Sequence, residues 1–445
     1  MPAINDRIRR HLADPKSHHR RIATGFLWVS FFVLVGKLAG AAKEMAIAWR
    51  YGISETVDAY VFVINLINWP VGIWFSVLTV VLIPLAAKAR NDNPSALPRF
   101  RGELLGLTLV AGLALGGLAY FGLPLLFNAG WAGLSGGALQ AALVMAGPLS
   151  LLLPLGLPIS VFSAWMMAGG RHSNTLLEAL PALAILVVLL LPPGWVPEPL
   201  VWGSVAGFAL QLVGLGGPLW RHGELQRPEL GFHSPAWRSF WSSVGIMAIG
   251  QALMSLTGII DQFFAAHLGP GAISTLSYAN RVMALILGLG AMAISRATLP
   301  IFSEIAAKGD AAAIRSLAMH WAKLMFLFGL AITAVTWVLA SWIVEILFQR
   351  GAFNAEGTYL VSSLLKLLLL QVPSYFSGLV LVSALSSRKR FGTISSIAAL
   401  NLIIKTLFLL FYPYGLSLNV IAVSICIMYL SSMLMCTYAV WKEKI

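Results

Sequence analysis

The sequence predicts an all-α polytopic membrane protein, and three observations carry that prediction. Of 445 residues, 58% are hydrophobic and only 11% are charged, against about 25% in a soluble domain. The charges gather in short gaps between apolar runs of roughly 20–30 residues, and a helix needs about 20 to cross a bilayer. The basic residues favour alternate gaps, as the positive-inside rule requires of a multi-pass chain. A membrane β-barrel would show alternating segments of about 10 residues instead. The net charge of +13 sits mostly in loops, so topology accounts for it and no nucleic-acid partner is expected.

Twelve segments are predicted. Six run near 22–49, 58–87, 103–127, 138–168, 174–192 and 199–220; six more run near 239–266, 273–305, 318–348, 358–386, 391–412 and 416–441. The apolar run from Ile22 is too long for a cleavable signal core and reads as a retained first helix. Pro70, Pro154, Pro158 and Pro373 are candidate bend points. Basic residues mark the tail (Arg7, Arg9, Arg10, Lys16, Arg20, Arg21) and the second gap (Lys88, Arg90, Arg99, Arg101). They also mark later alternate gaps (Arg171; Arg221, Arg227, Arg238; Lys308, Arg315; Arg388, Lys389, Arg390) and the end (Lys442, Lys444). The opposite gaps hold only Arg50 and Arg350, which puts both termini in the cytoplasm.

The two halves read alike. Tyr51-Gly52, Ile83-Pro84, the basic loop Lys88–Arg101 and Leu126-Phe127 return as Leu268-Gly269, Leu299-Pro300, Lys308–Arg315 and Leu347-Phe348. Repeats of six helices share one orientation, so the expectation is two six-helix lobes around a central cavity, related by a pseudo-two-fold axis along the membrane normal. The predicted domains are a basic tail (1–21), an N-terminal lobe (22–220), a cytoplasmic linker (221–238), a C-terminal lobe (239–441) and a short tail (442–445). Trp220 and Trp237 suit a linker lying at the membrane surface.

Five basic residues interrupt apolar segments: Lys37, Lys43, Arg281, Lys366 and Lys405. Each placement costs roughly 2.5–3.5 kcal/mol at a bilayer centre on insertion scales, which points to an internal polar cavity for an anionic ligand. Lys37 shares a helix face with Glu44, so a structural Lys37–Glu44 pair with Lys43 snorkelling outward is the competing account. Arg281 lies about 12 Å into its helix, and its planar guanidinium suits phosphate; a structural ion pair is the alternative. Lys366 has a similar depth. Asp261 and Lys405 each lie roughly 10 Å from the same membrane face, and unpaired they would each be expensive, so they are candidates to pair. Asp58 opens the second segment, either as a gate residue or as a plain helix-start residue.

No catalytic cluster, metal-ligand set or phosphate-binding Gly-rich loop appears, so no enzyme activity, metal or cofactor is expected. His18-His19 falls in the polar tail. Cys426 and Cys436 are about 15 Å apart along one helix, too far to bridge.

The stretch Gly36-Lys37-Leu38-Ala39-Gly40-Ala41-Ala42-Lys43-Glu44, with Tyr51-Gly52 and Asp58-Ala59-Tyr60, resembles the MviN/MurJ family. These are lipid II flippases of the multidrug/oligosaccharidyl-lipid/polysaccharide exporter superfamily. Tyr278-Ala279-Asn280-Arg281, Leu299-Pro300 with Ser303-Glu304, and Leu347-Phe348-Gln349-Arg350-Gly351-Ala352-Phe353 extend the likeness. The resemblance implies an inner-membrane flippase for a polyprenyl-diphosphate-linked saccharide. Lys37, Lys43 and Arg281, with Lys366 added on depth, would hold the diphosphate–sugar head. Asp58 would lie near the outer gate, and Asp261 would match a carboxylate of a sodium site.

Departures shape the expectation. Val71-Gly72-Ile73-Trp74-Phe75-Ser76 carries no charge where the family has a paired Arg-Arg and a Glu-Gly. Twelve helices stand where fourteen are usual, so the cargo is lipid II or an exopolysaccharide- or O-antigen-type unit. Asn401 is followed by Lys405 where an Asn-x-x-x-Asp occurs in some members, so the Lys405 ammonium would replace a bound cation beside Asp261. The expected partners are the lipid-linked glycan, membrane lipids and cell-envelope biosynthesis enzymes, with the protein itself a monomer. The alternatives are a cation-coupled drug exporter of the same superfamily, a membrane-embedded glycan polymerase or transferase, and a non-transporting scaffold.

Overall fold

The computed structural model describes residues 15–92, 96–171, 173–308, 310–413 and 415–442. Arg7, Arg9, Arg10 and Lys444 of the predicted tails lie outside the described residues. Within these bounds the chain forms fifteen helices and no strand. Only helices can satisfy every backbone polar group within one segment in hydrocarbon.

The helices of the first half are α1 (Pro15–Tyr51), α2 (Glu55–Asp92), α3 (Ala96–Asn128), α4 (Gly136–Ser150), α5 (Leu152–Ala168), α6 (Ser173–Leu177), α7 (Leu180–Leu190) and α8 (Pro199–Arg221). The second half holds α9 (Ala236–Ala266), α10 (Ala272–Ala307), α11 (Ala311–Phe348), α12 (Ala355–Leu369), α13 (Val372–Ser387), α14 (Phe391–Phe411) and α15 (Leu418–Lys442). Among the described residues eight helices are long and apolar enough to cross a bilayer, and the bent pairs α4–α5 and α12–α13 make ten. The other two predicted segments correspond to α1 and to the interrupted α6–α7 stretch. That stretch breaks at Glu178-Ala179, just before Pro181, and Asn174 Nδ2 donates to Glu178 Oε1 at 2.8 Å.

The repeat read from sequence has a physical counterpart in the fourth span of each half. α4–α5 bends by 45° and α12–α13 by 42°. Pro154 and Pro373 sit in the first turn of the second helix of each pair, where a missing N–H is tolerated. The third span presents glycine to each proline: a Cβ at Gly112 would lie 2.9 Å from Pro154 Cα, and one at Gly329 would lie 2.6 Å from Pro373 Cα. Of the other predicted bend points, Pro70 and Pro158 lie inside continuous helices.

The chain packs as two compact units. The first comprises Met1–Ala46, Pro70–Ala119 and Pro148–Gly245; the second comprises Ile47–Trp69, Tyr120–Gly147 and Ile246–Ile445. In the first, α8 packs on α5 and α7, with Gly203 and Gly207 letting its backbone approach Ile185 and Pro181 closely. Loop residues 222–235 lie across the start of α3. Glu103 accepts from the His233 and Ser234 amides at 3.0 and 3.1 Å and from Trp237 Nε1 at 2.6 Å. Trp237 is therefore buried among Phe100, Phe232, Phe240 and Trp241, a correction to its expected surface position. Trp220 is exposed. Arg101, read from sequence as a loop cation, is 8% exposed, pairs with Glu224 at 3.4 Å and lies over the Trp165 ring.

In the second unit α13 is central, touching α10, α11, α14 and α15. α11 starts on Asp310, whose side chain accepts from the Ala313 amide at 2.8 Å, and α12 starts on Asn354, which accepts from Gly357 at 2.9 Å. Both are ordinary N-caps.

Candidate functional site

The predicted site residues divide between the two units. In the first, α1 carries Lys37, Lys43 and Glu44. Lys43 Nζ lies 2.7 Å from Glu44 Oε1, with side-chain exposures of 16% and 11%. Glu44 thus takes its sequence neighbour, and Lys43 does not snorkel. Lys37 is half-buried and, among the described residues, has no hydrogen-bond or ion-pair partner. The pattern leaves Lys37 without a carboxylate among the described residues.

In the second unit, Asp58 sits in the first turn of α2, but its carboxylate serves a different helix. It accepts from the Gly271 amide at 2.5 Å and the Ser274 amide at 2.6 Å, at the start of α10. Gly271, at φ +82°, provides the left-handed turn that lets the chain enter α10 there. Asp58 is 2% exposed, so a buried carboxylate neutralises the positive end of a helix 213 residues away. The same seam has three further stitches. Tyr278 donates its hydroxyl to the Gly52 carbonyl at 2.9 Å, the Ala352 amide donates to the Trp49 carbonyl at 2.8 Å, and the Gly137 amide donates to Glu55 Oε1 at 3.1 Å. Gly52 (φ +58°) and Gly351 (φ +60°) allow these backbones to meet; a Cβ on either would strike Ala352 O or Trp49 O. The Tyr-Gly and Gly-Ala-Phe turns legible in the sequence therefore join residues of both halves at the charge-poor end.

Deeper in the same unit, Lys405 of α14 reaches Asp261 of α9. Its Nζ is 2.7 Å from the carboxylate oxygens, with hydrogen-bond geometry at Oδ2, and 3.3 Å from the Thr257 carbonyl. Lys405 is 1% exposed and Asp261 6%. Two ions this dry persist only with mutual compensation. Asn401, one turn from Lys405, accepts from the Ser431 hydroxyl at 2.6 Å. It lines a cavity of about 350 Å³ with Thr257, Tyr375, Tyr429 and Ser432. Ser431 and Thr257 were not singled out from sequence; only Thr257 had a signal, lying one helical turn before Asp261.

Arg281 lies on α10 and is exposed. Lys366 is half-buried in the last turn of α12, ahead of the 42° bend, where free helix carbonyls favour an ammonium. Among the described residues no cluster of His, Cys, Asp and Glu could hold a metal ion.

Long apolar helices in two like halves, each with a proline-broken fourth span, define a multi-pass helical membrane protein of the transporter fold shared by MurJ and MATE proteins. A structure of lipid II flippase MurJ in an inward closed conformation superposes with a TM-score of 0.81, at 16% identity over 94% of this chain and 88% of that one. An inward-facing multidrug resistance MATE family transporter of the MOP superfamily gives 0.73, at 14% identity over 91% and 94%. At these identities the likeness is one of fold.

The chain belongs to the MurJ family: the family model for lipid II flippase MurJ matches residues 47–445. A probable lipid II flippase MurJ from Vibrio cholerae is 25% identical over 89% of this chain and 79% of its own length. One from Synechocystis is 25% identical over 76% and 66%. The family match takes in Asp58, Asp261, Arg281, Lys366, Asn401 and Lys405 and begins just after the Lys37–Glu44 stretch. The protein is accordingly a multi-pass protein of the bacterial inner membrane.

Proposed function

We propose that this protein flips a polyprenyl-diphosphate-linked saccharide from the cytoplasmic to the periplasmic leaflet by alternating access. The observation that carries the reading is the family match over residues 47–445. It is a transporter's family, not an enzyme's. The cargo is lipid II, as the names of the relatives suggest, or a related undecaprenyl-linked repeat unit. Both termini are cytoplasmic, and the moving bodies are the six-helix lobes 22–220 and 239–441 joined by the linker 221–238. The protein acts as a monomer alongside envelope-biosynthesis enzymes.

In this reading Lys37, Lys43, Arg281 and Lys366 meet the diphosphate–sugar head. Lys37 is the strongest of them, since its charge is uncompensated among the described residues. Lys366 is the weakest, because a helix C-terminus already gives it a structural purpose. The Asp58 seam is the closed outer gate. Its hydrogen bonds are mostly to backbone amides and carbonyls, so opening exchanges them for water rather than stranding a charge in hydrocarbon. A gate must give way to a cargo that binds its two states unequally. The Asp261–Lys405 pair occupies the place of a bound cation, so transport proceeds without sodium there.

The second reading, a cation-coupled drug exporter, is favoured only by the MATE-like fold. A cationic drug would meet repulsion from the four basic residues. Depletion of the protein followed by extraction of lipid-linked intermediates tests the first reading. Build-up of one species on the cytoplasmic face supports it and names the saccharide; absence of any build-up overturns it.

A further inference from the structure

The cavity of about 350 Å³ beside Asn401 lies within the second unit, between α9, α13, α14 and α15. None of the residues assigned to the cargo lines it. Its two ends differ in chemistry. α13 and α14 are joined by the short turn 388–390 and so run in opposite directions. Tyr375 and Asn401 lie about three helical turns from that connection, and Val382 and Ile394 about one turn from it. Tyr429 on α15 belongs with the first pair, because its ring meets that of Tyr375 at 5.2 Å. One end is therefore polar and the other is hydrocarbon, with Leu379 and Ile397 between them. That size, with apolar walls and a few converging polar groups, is characteristic of a small-molecule site.

Three polar groups at the first end have no protein partner among the described residues. Asn401 is 6% exposed; it bonds Ser431 at 2.6 Å through one atom of its amide, and the other amide atom has no partner. The hydroxyls of Tyr375 and Tyr429 have none either; the two rings touch only edge to face. Buried polar groups are as a rule hydrogen-bonded, so the occupant of the cavity has to supply the missing bonds. Water would serve the polar end, but an apolar end stays dry and needs hydrocarbon. Charge is excluded on separate grounds. Among the described residues no charged side chain lines the cavity. The nearest ions, Lys405 and Asp261, compensate each other at 2.7 Å, so an ionic ligand would bring in a charge with no counter-ion.

We propose that this cavity binds an uncharged amphiphile, an alcohol or a carbonyl compound. Its oxygen meets Asn401 and the two tyrosine hydroxyls, and its hydrocarbon lies along Leu379 and Ile397 towards Val382 and Ile394. Gly378 leaves room for it on α13: a Cβ there would meet nothing within 4 Å.

Photolabelling of the purified full chain in lipid nanodiscs, with a diazirine analogue of 1-octanol, provides the test. Labelled residues are located by peptide mass spectrometry. Label is expected at the cavity walls on α13, α14 and α15, and 1-octanol should compete it away. Octane lacks the oxygen, and octylammonium and octanoate carry charge at pH 7; each should compete roughly tenfold more weakly or worse. Tyr375→Phe/Tyr429→Phe keeps both rings and should weaken labelling roughly 5- to 30-fold, as for two lost hydrogen bonds. Asn401→Leu should act in the same direction. Gly378→Leu, which puts a side chain into the open space, should abolish it. Tyr438→Phe, at an exposed tyrosine of the same helix α15, should leave it unchanged. If Asn401→Leu fails to fold, the paired tyrosine variant and Gly378→Leu decide the matter. Labelling confined to other positions overturns the proposal, as does labelling undiminished in a folded Gly378→Leu protein. Equal competition by octane reduces the cavity to an apolar void and overturns it. Equal competition by either ion overturns the uncharged assignment. The readout is labelling rather than flipping, so failure of the cargo reading would leave this result standing on its own.

Discussion

Two of the ion pairs among the described residues lie within apolar helices, and they are built differently. Lys43 and Glu44 are neighbours on one helix, with side chains 16% and 11% exposed. Asp261 and Lys405 are 144 residues apart on α9 and α14, with side chains 9% and 1% exposed. The first pair joins two neighbours within a single helix. The second ties two helices together at a depth where neither charge can find water. The local pair suits function, and the distant pair suits structure, even though all four residues look alike as charges in apolar sequence.

The sharpest way to break this contrast is to remove one partner from each pair. Lys405→Met strands the Asp261 carboxylate and should destabilise the protein by about 3–5 kcal/mol, as for other broken buried pairs. The double variant Asp261→Leu/Lys405→Met should recover most of that loss, because desolvation is relieved along with attraction. Thermal melting in detergent measures both. A single variant as stable as the double would show that the pair holds nothing.

Next in size is Asp58. Asp58→Ala removes two charge-assisted bonds to the start of α10 and should cost about 1–2 kcal/mol, the upper range for a lost helix cap. Asp58→Asn keeps an acceptor oxygen and should fall between. Hydrogen exchange at the Gly271 and Ser274 amides reads the effect locally. Protection unchanged in Asp58→Ala would mean that the seam is held by its backbone stitches alone.

Much of this was legible in the sequence, for identifiable reasons. Membrane segments are written in composition, so every predicted segment contains a helix. The repeat was legible because proline and glycine leave marks, Ile83-Pro84 and Leu299-Pro300 among them; that Pro154 and Pro373 also sit in matching breaks came from the structure. Depth was legible too, since Asp261 and Lys405 were matched by counting residues from their helix ends. Direction around a helix and long-range partners were not. Nothing in the first turn of α2 says that Asp58 caps α10 rather than its own helix. Glu44 was matched by face to Lys37, yet a flexible Lys43 side chain reached it from the adjacent position. Trp237 looked interfacial because a tryptophan beside basic residues usually is; its burial depends on Glu103, which arrives from a distant helix start.

The local pair should behave in the opposite way to the distant one. Lys43→Gln leaves Glu44 with partial access to solvent, so stability should change by no more than about 1 kcal/mol. Growth of cells relying on the variant should nevertheless fail, and Lys37→Gln should fail likewise. Melting temperatures beside complementation separate the two effects. A Lys43→Gln protein that supports growth would remove it from the cargo site, and a large drop in stability would make it structural.

The smallest expected effect is a null one, and it tests the distant pair without mutating it. If the Lys405 ammonium does the work of a bound cation, no vacancy remains beside Asp261 for sodium to fill. Replacing sodium with choline should then leave the flipping rate in proteoliposomes within about twofold, under 0.5 kcal/mol in free-energy terms. Lys405→Met reverses the electrostatics: Asp261 regains an unpaired charge, and a small cation becomes the natural compensator. That variant should gain thermal stability from added sodium while the wild type does not. Sodium-dependent flipping in the wild type would sink the idea directly. A Lys405→Met protein indifferent to sodium would instead show that the pocket around Asp261 lacks the remaining oxygen ligands, leaving the ion pair purely a tie between α9 and α14.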